Sequence, residues 1–507
     1  MRSPCSLALV TLAAVSGCGR VSYEQRDAGA IDVGSIDVGP IDATSFDVGP
    51  VDAGPTDAGL VDAGPFDAGP FDAGPFDAGP FDAGPAPPWP HLGGSGDVSV
   101  DRLTFGPDGE LYVNGFFSGE LQLEGLEPMT SASTACFAAR WDPGGTWVWL
   151  IAVRGDYAMC IGLDVDVARD SLVIGAYSSG SATVTRARTG TSTTITPLAT
   201  GSRQTVRLVT LDRDAAAIAV ADLDGSGNDQ VRDVRSVSGR VYASGNYLTD
   251  TPGFAGVMTA SGGSMPASTD YGFAVGLPTT SAPGWGIPAM GAEDTTVFAI
   301  DVFASGETCV AGRYTGTLDL GADGVAEGPD VGFMPRAFVA QISTAGRLIR
   351  HESSTNGTYQ RVRAIGSACV AVAADATVSI TQLDAGSTVT TRMTPPASTT
   401  LAQRPSIGPD GIVHVAALAG PTTWSSGLIG DVVLPGPRAV VADLDTSANV
   451  VALHVLEATG ATEAQTACAD PDGGVRAAVA FDASLSLPGG AGLVSSGGSD
   501  VVIVTLP

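Results

Sequence analysis

The sequence predicts a large all-β body that follows a long, unstructured N-terminal spacer. Glycine is very frequent, at 67 residues, and only 16% of residues are charged. Together with abundant Thr, Ser and Val, this composition favours short strands and turns over helices. An acid recurs every five residues from Asp27 to Asp82, and a weak repeat of apolar strands and turns begins near Trp89. The recurring acid predicts the spacer, and the repeat of strands and turns predicts the body.

The first 18 residues have the pattern of a bacterial export signal. Arg2 precedes an apolar run at residues 7–15, which is too short to span a membrane. Residues 15–18, Val-Ser-Gly-Cys, resemble the lipobox of bacterial lipoproteins. The resemblance implies cleavage before Cys18, diacylation of its thiol, and stable anchoring by two or three acyl chains. An ordinary signal peptide cleaved nearby is the alternative.

On this interpretation, residues 1–17 are a lipoprotein signal peptide and residues 18–26 an anchor segment. Gly19 follows the cysteine where an Asp would favour retention at the inner membrane, so the resemblance points to the outer membrane. We expect a cell-envelope protein that is lipid-anchored in the outer membrane and faces either the cell surface or the periplasm. No later stretch has about 18 uninterrupted apolar residues, so the lipid is the expected membrane contact.

Residues 27–87 are interpreted as a disordered Asp-Ala-Gly-Pro repeat linker. A period of five fits neither a strand nor a helix, because each repeat would rotate a helix by about 140° and no face would persist. Recurrent proline removes hydrogen-bond donors, glycine adds freedom, and evenly spaced negative charge keeps the chain extended. The alternative is a recognition array built on Phe66, Phe71, Phe76 and Phe81.

The body, residues 88–507, is predicted to be a β-propeller of seven four-stranded blades. Apolar strands that end in a small residue recur seven times at spacings of about 45 to 70 residues. Residues 111–115 (Leu-Tyr-Val-Asn-Gly) and 241–245 (Val-Tyr-Ala-Ser-Gly) are examples. Turns such as Gly-Pro-Asp-Gly at 106–109 precede several units, and a second apolar strand follows most of them. Six blades, a parallel-β solenoid or a pair of sandwiches are the alternatives.

The two ends of the body predict how the ring closes. The last unit stops at residues 500–507, and the strand that should follow is missing. Residues 89–97 precede the first unit and resemble residues 149–156, which join units 1 and 2. We therefore expect the N-terminal strand of the body, near Trp89, to complete the last blade and remove two exposed sheet edges.

The units resemble the bacterial propeller repeat in which a Gly-x-Gly-Asp turn leads to a Val-Tyr-Val-x-Gly strand and then to a Phe-Val-Ala-x-Leu strand. Residues 94–97, 111–115 and 336–342 carry these motifs, and the resemblance covers most of residues 94–507. It is strongest in units 1, 3 and 4. What it implies is an extracytoplasmic surface protein, in a group mostly without assigned activity.

The charge narrows the classes of partner and mechanism. The net charge is −29, which should repel nucleic acid and anionic lipid surfaces. The chain has no lysine, which excludes Schiff-base chemistry, Ser-Lys dyads and the phosphate-binding P-loop. We expect a monomer whose partners are the membrane, through the lipid, and an unidentified protein or glycan.

One segment has the pattern of a calcium loop. Asp222, Asp224 and Ser226 place oxygen atoms at alternating positions, a glycine stands at the sixth position, and Asp233 falls at the twelfth. The twelfth residue is not the usual bidentate Glu, and residues 225–229 align with the repeat turn at 94–97. We therefore expect no metal and no other cofactor, and treat calcium as the alternative.

Five cysteines lie in the body, and export permits disulfides. Their wide spacing and the absence of Cys-x-x-Cys argue against zinc. Cys136 and Cys160 are the predicted bridge, because the repeat alignment places them in neighbouring strands. Cys309 and Cys369 occupy equivalent positions in adjacent units, where we expect them to be too far apart to bond.

No catalytic set is evident in the sequence. Residues 142–147, Asp-Pro-Gly-Gly-Thr-Trp, resemble the Asp-box turn of sialidase-like propellers, but only one such box is present and Arg140 replaces its usual Ser or Thr. Only four histidines occur, and Gly-x-Ser-x-Gly is absent. The sequence therefore favours a binding or scaffold module for protein or glycan. A secreted propeller hydrolase or lyase with its active site at the central channel is the alternative, and it would need acids, His or Arg to converge there.

Overall fold

The computed structural model describes residues 89–506 with several gaps. The gaps fall at 181, 189–190, 198–200, 217, 224–228, 248–257, 260–270, 279–284, 292–294, 317, 321–324, 327–334, 355–356, 403, 427, 457–459, 471–473, 488–491 and 496. The predicted signal peptide, anchor segment and linker therefore lie outside the described residues. The described part of the chain contains no helix, and so none long and apolar enough to cross a membrane.

All regular structure in the described residues is β-strand. The first strands are β1 (His91–Gly93), β2 (Val98–Phe105), β3 (Leu111–Leu123), β4 (Met129–Trp141), β5 (Trp147–Arg154), β6 (Tyr157–Asp166), β7 (Ser171–Gly180), β8 (Thr183–Arg188), β9 (Thr191–Pro197), β10 (Gly201–Asp212), β11 (Ile218–Leu223), β12 (Gln230–Val237) and β13 (Arg240–Tyr247). The next are β14 (Met258–Thr259), β15 (Tyr271–Pro278), β16 (Trp285–Gly291), β17 (Thr295–Val302), β18 (Thr308–Tyr314), β19 (Leu318–Asp319), β20 (Val325–Ala326), β21 (Arg336–Ile342), β22 (Leu348–Ser354), β23 (Arg361–Ile365), β24 (Ala368–Ala374), β25 (Val378–Leu383) and β26 (Thr388–Met393). The last are β27 (Thr399–Leu401), β28 (Ser406–Ile407), β29 (Val413–Ala419), β30 (Thr422–Ser426), β31 (Gly430–Leu434), β32 (Arg438–Leu444), β33 (Val450–Val455), β34 (Glu463–Ala469), β35 (Val475–Phe481), β36 (Ser484–Ser486), β37 (Gly492–Val494) and β38 (Asp500–Leu506).

The recurring unit is an antiparallel sheet of four strands. The orders β17-β18-β21-β22 and β23-β24-β25-β26 show it in its simplest form, and β11-β10-β7-β6 repeats it. Other units carry extra pairings: β14, β19 and β20 join the sheet of β12, β13, β15 and β16, and β27 joins that of β28, β29, β32 and β33. Each unit thus has the strand order expected of a propeller blade.

Seven strands, called the inner strands below, meet around a common centre. They are β2, β6, β12, β17, β23, β28 and β34. Each contacts the next one along the chain, and the last, β34, contacts the first, β2. Sheets of four antiparallel strands arranged around a centre are the architecture of a β-propeller, so the prediction of an all-β propeller body is confirmed.

The two ends of the body meet in one sheet. In the order β34-β35-β38-β1-β3-β4-β5-β8-β9, the short strand β1 lies between the last strand of the chain and β3. His91 is paired with Val502, and Leu92 with Val501 on one side and Leu123 on the other. The His91 ring also lies 3.1 Å from the Asp500 carboxylate. The edges of β38 and β3 are therefore both covered by backbone pairing.

The core lies between sheets. One apolar cluster combines Leu163 of β6 with Trp149 of β5, and others join each later unit to its neighbour. A further cluster packs Leu92 and Val113 against Ile503, the last unit against the first. Because each sheet is buried on both faces, its central strands are apolar on both sides, as in β21, where every residue is buried.

A shared bulge explains the glycine of the repeat motif. The pairing register shifts within β2, β6, β12, β17 and β34, so each of these inner strands carries one extra residue. The bulge brings the inner-strand backbone close to the second strand. At Gly115, Gly245 and Gly312, an added Cβ would collide with the backbone oxygen of Ser99, Gln230 and Thr296, respectively. Only glycine fits at these positions.

Candidate binding site at the centre of the ring

A cavity of about 610 Å³ opens where the inner strands meet. Its wall includes residues from β2, β6, β12, β23 and β34, together with the segment 405–412. This volume falls within the range of small-molecule sites in proteins. Four arginines line it, Arg102, Arg235, Arg361 and Arg363.

The centre of the ring is held by a buried ion-pair network around Asp233. This carboxylate lies 2.6 Å from the Arg102 guanidinium and 3.3 Å from that of Arg235, and its side chain is fully buried. It also accepts a hydrogen bond from the Ile300 amide at 3.2 Å. Burial alone would raise the pKa of Asp233, but Arg102 and Arg235 outweigh it and hold the pKa below its usual range. Asp233 is therefore charged and fully engaged.

Carboxylates on three consecutive inner strands bind the backbone of the next inner strand. Asp164 accepts from the Ser236 amide at 2.7 Å, and Asp301 accepts from the Ala364 amide at 2.8 Å. With the contact from Asp233, these bonds join β6 to β12, β12 to β17, and β17 to β23. Such charge-assisted hydrogen bonds are stronger than neutral ones, so they fix the register between units.

The network continues towards β23 with two short ion pairs and two long ones. Arg235 binds Asp301 at 2.8 Å, while Arg363 lies 3.6 Å from the same carboxylate and is 36% exposed. Arg404 lies 3.0 Å from Asp101, and Arg361 lies 3.9 Å from it. Burial, and then repulsion from Arg102, lower the pKa of Arg361 to about 10. Arg361 and Arg363 are thus the least neutralised cations of the network.

A second polar group lines the cavity wall beside β28. His414 donates Nδ1–H to Asp443 at 2.7 Å, and His454 donates Nε2–H to the other carboxylate oxygen at 2.9 Å. Burial opposes ionisation of Asp443, yet both histidine hydrogen bonds keep its pKa below the usual range. His414 is 4% exposed, and its Nε2 has no hydrogen-bond partner among the described residues. A ring held in this way can accept or donate one further hydrogen bond.

This convergence is the feature that sequence reasoning missed. The sequence shows no cluster of acids, His or Arg, whereas the structure brings arginines, aspartates and a histidine together at the channel. A signal was present: acids and arginines recur within the short stretches 101–102, 164–166, 233–235 and 361–363. Each stretch occupies an inner strand, where a sequence of alternating residues would ordinarily indicate a solvated strand face.

The residues of the candidate calcium loop do not come together at one described site. Asp224 and Ser226 lie outside the described residues, and Asp222 belongs to β11. Asp233 pairs with two guanidinium groups, as described above. Within the described residues, no group of three or more His, Cys, Asp or Glu side chains is placed to hold a metal ion.

Two disulfides connect neighbouring sheets. Cys136 of β4 is joined to Cys160 of β6, with Cα atoms 4.9 Å apart. Cys309 of β18 is joined to Cys369 of β24, with Cα atoms 5.6 Å apart. The expectation that the second pair is too distant to bond is therefore wrong. Equivalent strands of these two sheets pack closely because small residues such as Ala311 and Ala371 lie between them.

The remaining cysteine and the Asp-box segment have structural environments. Cys468 is a buried free thiol at the cavity wall, and burial raises its pKa well above the usual range. Such a thiol is unreactive. Asp142 accepts hydrogen bonds from the amide and hydroxyl of Thr146, and Trp147 packs edge-on against Trp141 at 5.0 Å. The Asp-box segment is thus a turn with a packed tryptophan.

No family model and no curated protein matches the chain. Among solved structures, the chain is similar to the WD40 β-propeller domain of Doa1, at 10% identity and a TM-score of 0.39, over 82% of this chain and 95% of that one. The β-propeller domain of Myceliophteria thermophila Cps50 (Swd1) matches at 11% identity and a TM-score of 0.41, over 81% and 100% of the two chains. The Dos1 propeller matches at 9% identity and 0.39, over 82% and 95%. Because these TM-scores are below 0.5, the fold rests on the strand pairing alone.

Proposed function

We propose that the chain is a lipid-anchored cell-envelope protein whose propeller is a binding or scaffold module for a protein or glycan. The observation that carries the binding role is the central cavity of about 610 Å³, whose wall includes Arg361 and Arg363 at 3.9 Å and 3.6 Å from their nearest paired carboxylates. Weakly neutralised guanidinium groups on a cavity wall favour a ligand that supplies further charge-assisted hydrogen bonds.

The module is proposed to be a closed ring of seven blades. Seven inner strands contact one another in a cycle, and seven apolar clusters each join two consecutive units, including the last and the first. The pairing of β1 with β38 supports closure by the N-terminal strand of the body. Closure removes exposed sheet edges, which a surface protein must avoid.

The anchor is proposed to be the acylated Cys18, after removal of residues 1–17. The lipobox resemblance at residues 15–18 supports it, and Gly19 supports an outer-membrane destination. Residues 18–26 would then attach the chain and residues 27–87 would space residues 88–507 from the membrane. We further propose that the protein is monomeric, requires no metal and binds no nucleic acid.

Replacing Cys18 tests the anchor. We expect the Cys18→Ser variant to move from the membrane to the soluble fraction, because acylation needs the thiol and the apolar run at residues 7–15 is too short to span a membrane. Cys5→Ser, in the same signal segment, is the matched control and should leave the protein in the membrane. Continued membrane association of Cys18→Ser without acylation would contradict the anchor. Protease treatment of intact cells then separates an outward-facing body, which is cut, from a periplasmic one, which is protected.

A second candidate is a hydrolase or lyase with its active site at the same cavity. The Asp443–His414 pair favours it, because a buried imidazole whose Nδ1 is held by a carboxylate is a suitable general base at Nε2. Incubation with carboxylated and neutral oligosaccharides, followed by analysis of the chain lengths, tests this candidate. Cleavage that is lost in His414→Gln supports the enzyme; intact oligosaccharides support the binding module.

A further inference from the structure

We propose that the central cavity binds a carboxylate that also carries hydroxyl groups. In a glycan, such a ligand is a uronic acid residue. This inference deepens the proposed binding function and rests on it. The carboxylate would contact the arginines of the cavity wall, and a hydroxyl group would contact His414 Nε2.

The ion-pair network has an excess of positive charge. Its carboxylates are Asp101, Asp164, Asp233 and Asp301, and its guanidinium groups are Arg102, Arg235, Arg361, Arg363 and Arg404. There is thus one more cation than anion among these nine groups, although the ionised Asp443 on the same cavity wall offsets that charge for the wall as a whole. The excess is therefore local to Arg361 and Arg363, and a weakly neutralised cation on a cavity wall favours an anionic ligand.

The longest ion pairs of the wall locate the anion beside Arg361 and Arg363. Arg361 lies 3.9 Å from Asp101, and Arg363 lies 3.6 Å from Asp301. Guanidinium groups present parallel N–H donors that match the two oxygens of a carboxylate.

The acids that line the cavity are already engaged. Asp443 binds both His414 and His454, and Asp470 lies 2.7 Å from Arg476. Asp410 is exposed at the rim and accepts from the Ile412 amide. Their contacts are with His414, His454, Arg476 and the Ile412 amide, so the part of the wall at Arg361 and Arg363 stays available to a ligand.

His414 supplies the preference for a hydroxylated ligand. Its Nδ1 donates to Asp443, so the neutral ring presents Nε2 as an acceptor, and protonation converts Nε2 to a donor. A hydroxyl group can satisfy either state, whereas a second carboxylate oxygen can satisfy only the protonated one. A sugar acid has both the carboxylate and the hydroxyl groups, and the cavity of about 610 Å³ has room for it.

Calorimetric titration of the full chain in detergent with D-glucuronate tests the proposal. We expect binding to D-glucuronate to be about tenfold or more tighter than binding to its methyl ester or to D-glucose, because either change removes the charge-assisted hydrogen bonds. Inorganic phosphate should bind more weakly than D-glucuronate. Equal affinity for phosphate, or no difference between the acid and its ester, would overturn the proposal.

Variants separate the cavity from other binding surfaces. Arg363→Gln should weaken D-glucuronate binding about tenfold. We expect this variant to fold because the Arg363 side chain is partly exposed. His414→Gln should weaken glucuronate more than phosphate. Arg392→Gln, an exposed arginine on β26, is the matched control and should bind normally. Normal binding by Arg363→Gln and His414→Gln would contradict the cavity as the site, while the result for Cys18→Ser would still decide the anchor independently.

Discussion

The two sides of the ring centre contain the same charged residue types, but these residues have different roles. On β6, β12 and β17, carboxylates bind the amides of the next inner strand, and Asp233 and Asp301 pair closely with Arg102 and Arg235. On the other side, Arg361 and Arg363 of β23, at longer ion-pair distances, and His414 of β29 line a cavity. The difference suggests that one side of the ring holds the units together, whereas the other side leaves polar atoms for a ligand.

The same difference predicts which substitutions affect stability and which affect binding. A fully paired buried charge costs much when its partner is removed, whereas a partly exposed cation contributes little to folding. Substitutions on the paired side should therefore unfold the protein, and substitutions on the cavity side should leave the fold intact but alter binding.

Deletion of residues 86–96 should have the largest effect, because it removes β1, which pairs with β3 on one side and with β38 on the other. We expect a loss of about 5 kcal/mol or more in the free energy of unfolding, since Leu92 is fully buried and β1 pairs with two neighbours. Urea unfolding measures this loss. Deletion of residues 66–75, two repeats of the linker, is the control and should leave the midpoint of the body unchanged. Equal midpoints for both deletions would refute closure by β1.

Asp233→Asn should destabilise the paired side by about 3–5 kcal/mol, because Arg102 and Arg235 lose their shared buried partner. Arg363→Gln, on the cavity side, should cost less than about 1 kcal/mol, since its side chain is 36% exposed. Thermal and urea unfolding of both variants measure the two costs. Asp431→Asn, an exposed site on β31, controls for loss of an acid. Similar losses of stability for Asp233→Asn and Arg363→Gln would contradict the division into a structural side and a binding side.

Asp164 should give a smaller, pH-dependent effect at the boundary between the two sides. Burial raises its pKa to about 6, against the opposing effects of Arg235 and the Ser236 amide, with Asp301 and Arg102 also nearby. Because the folded pKa lies above the ordinary value of 3.8, the ionised carboxylate lowers stability above pH 6. That cost is complete above about pH 6, declines as the pH falls further, and is gone only below the ordinary pKa of 3.8.

The Asp164→Asn variant isolates this contribution. Its stability relative to the unmodified protein should be greater at pH 7.5 than at pH 5, because only the unmodified protein carries the cost of ionisation. Urea midpoints at the two pH values measure the difference, with Asp431→Asn as the control for general charge effects. A relative stability that does not change with pH would show that Asp164 has an ordinary pKa.

Much of the fold could be predicted from the sequence because local requirements leave a visible mark. The bulge of the inner strand requires glycine at positions such as Gly115 and Gly245, and the motif built on that glycine identifies the repeat. The incomplete last unit and the extra segment near Trp89 likewise predict the pairing partner that β38 has in β1. These features depend on backbone geometry that recurs in each unit.

The candidate site could not be predicted in the same way, because it depends on tertiary placement. Arg102, Asp233 and Arg361 are far apart in the chain, and each resembles an ordinary charged residue of a strand. Only the meeting of inner strands brings them within ion-pair distance. The bond between Cys309 and Cys369 was missed for the same reason, since the closeness of two packed sheets depends on the small residues between them.

Hydrogen–deuterium exchange with and without D-glucuronate tests the central claim, that one side of the ring centre is structural and the other binds. We predict that the ligand slows exchange in residues 361–365 and 404–414, at the cavity wall, and leaves residues 231–237 unchanged because their amides are already protected by the ion-paired network. Slower exchange only at the outer strands, or equally throughout the inner strands, would contradict the division between the two sides.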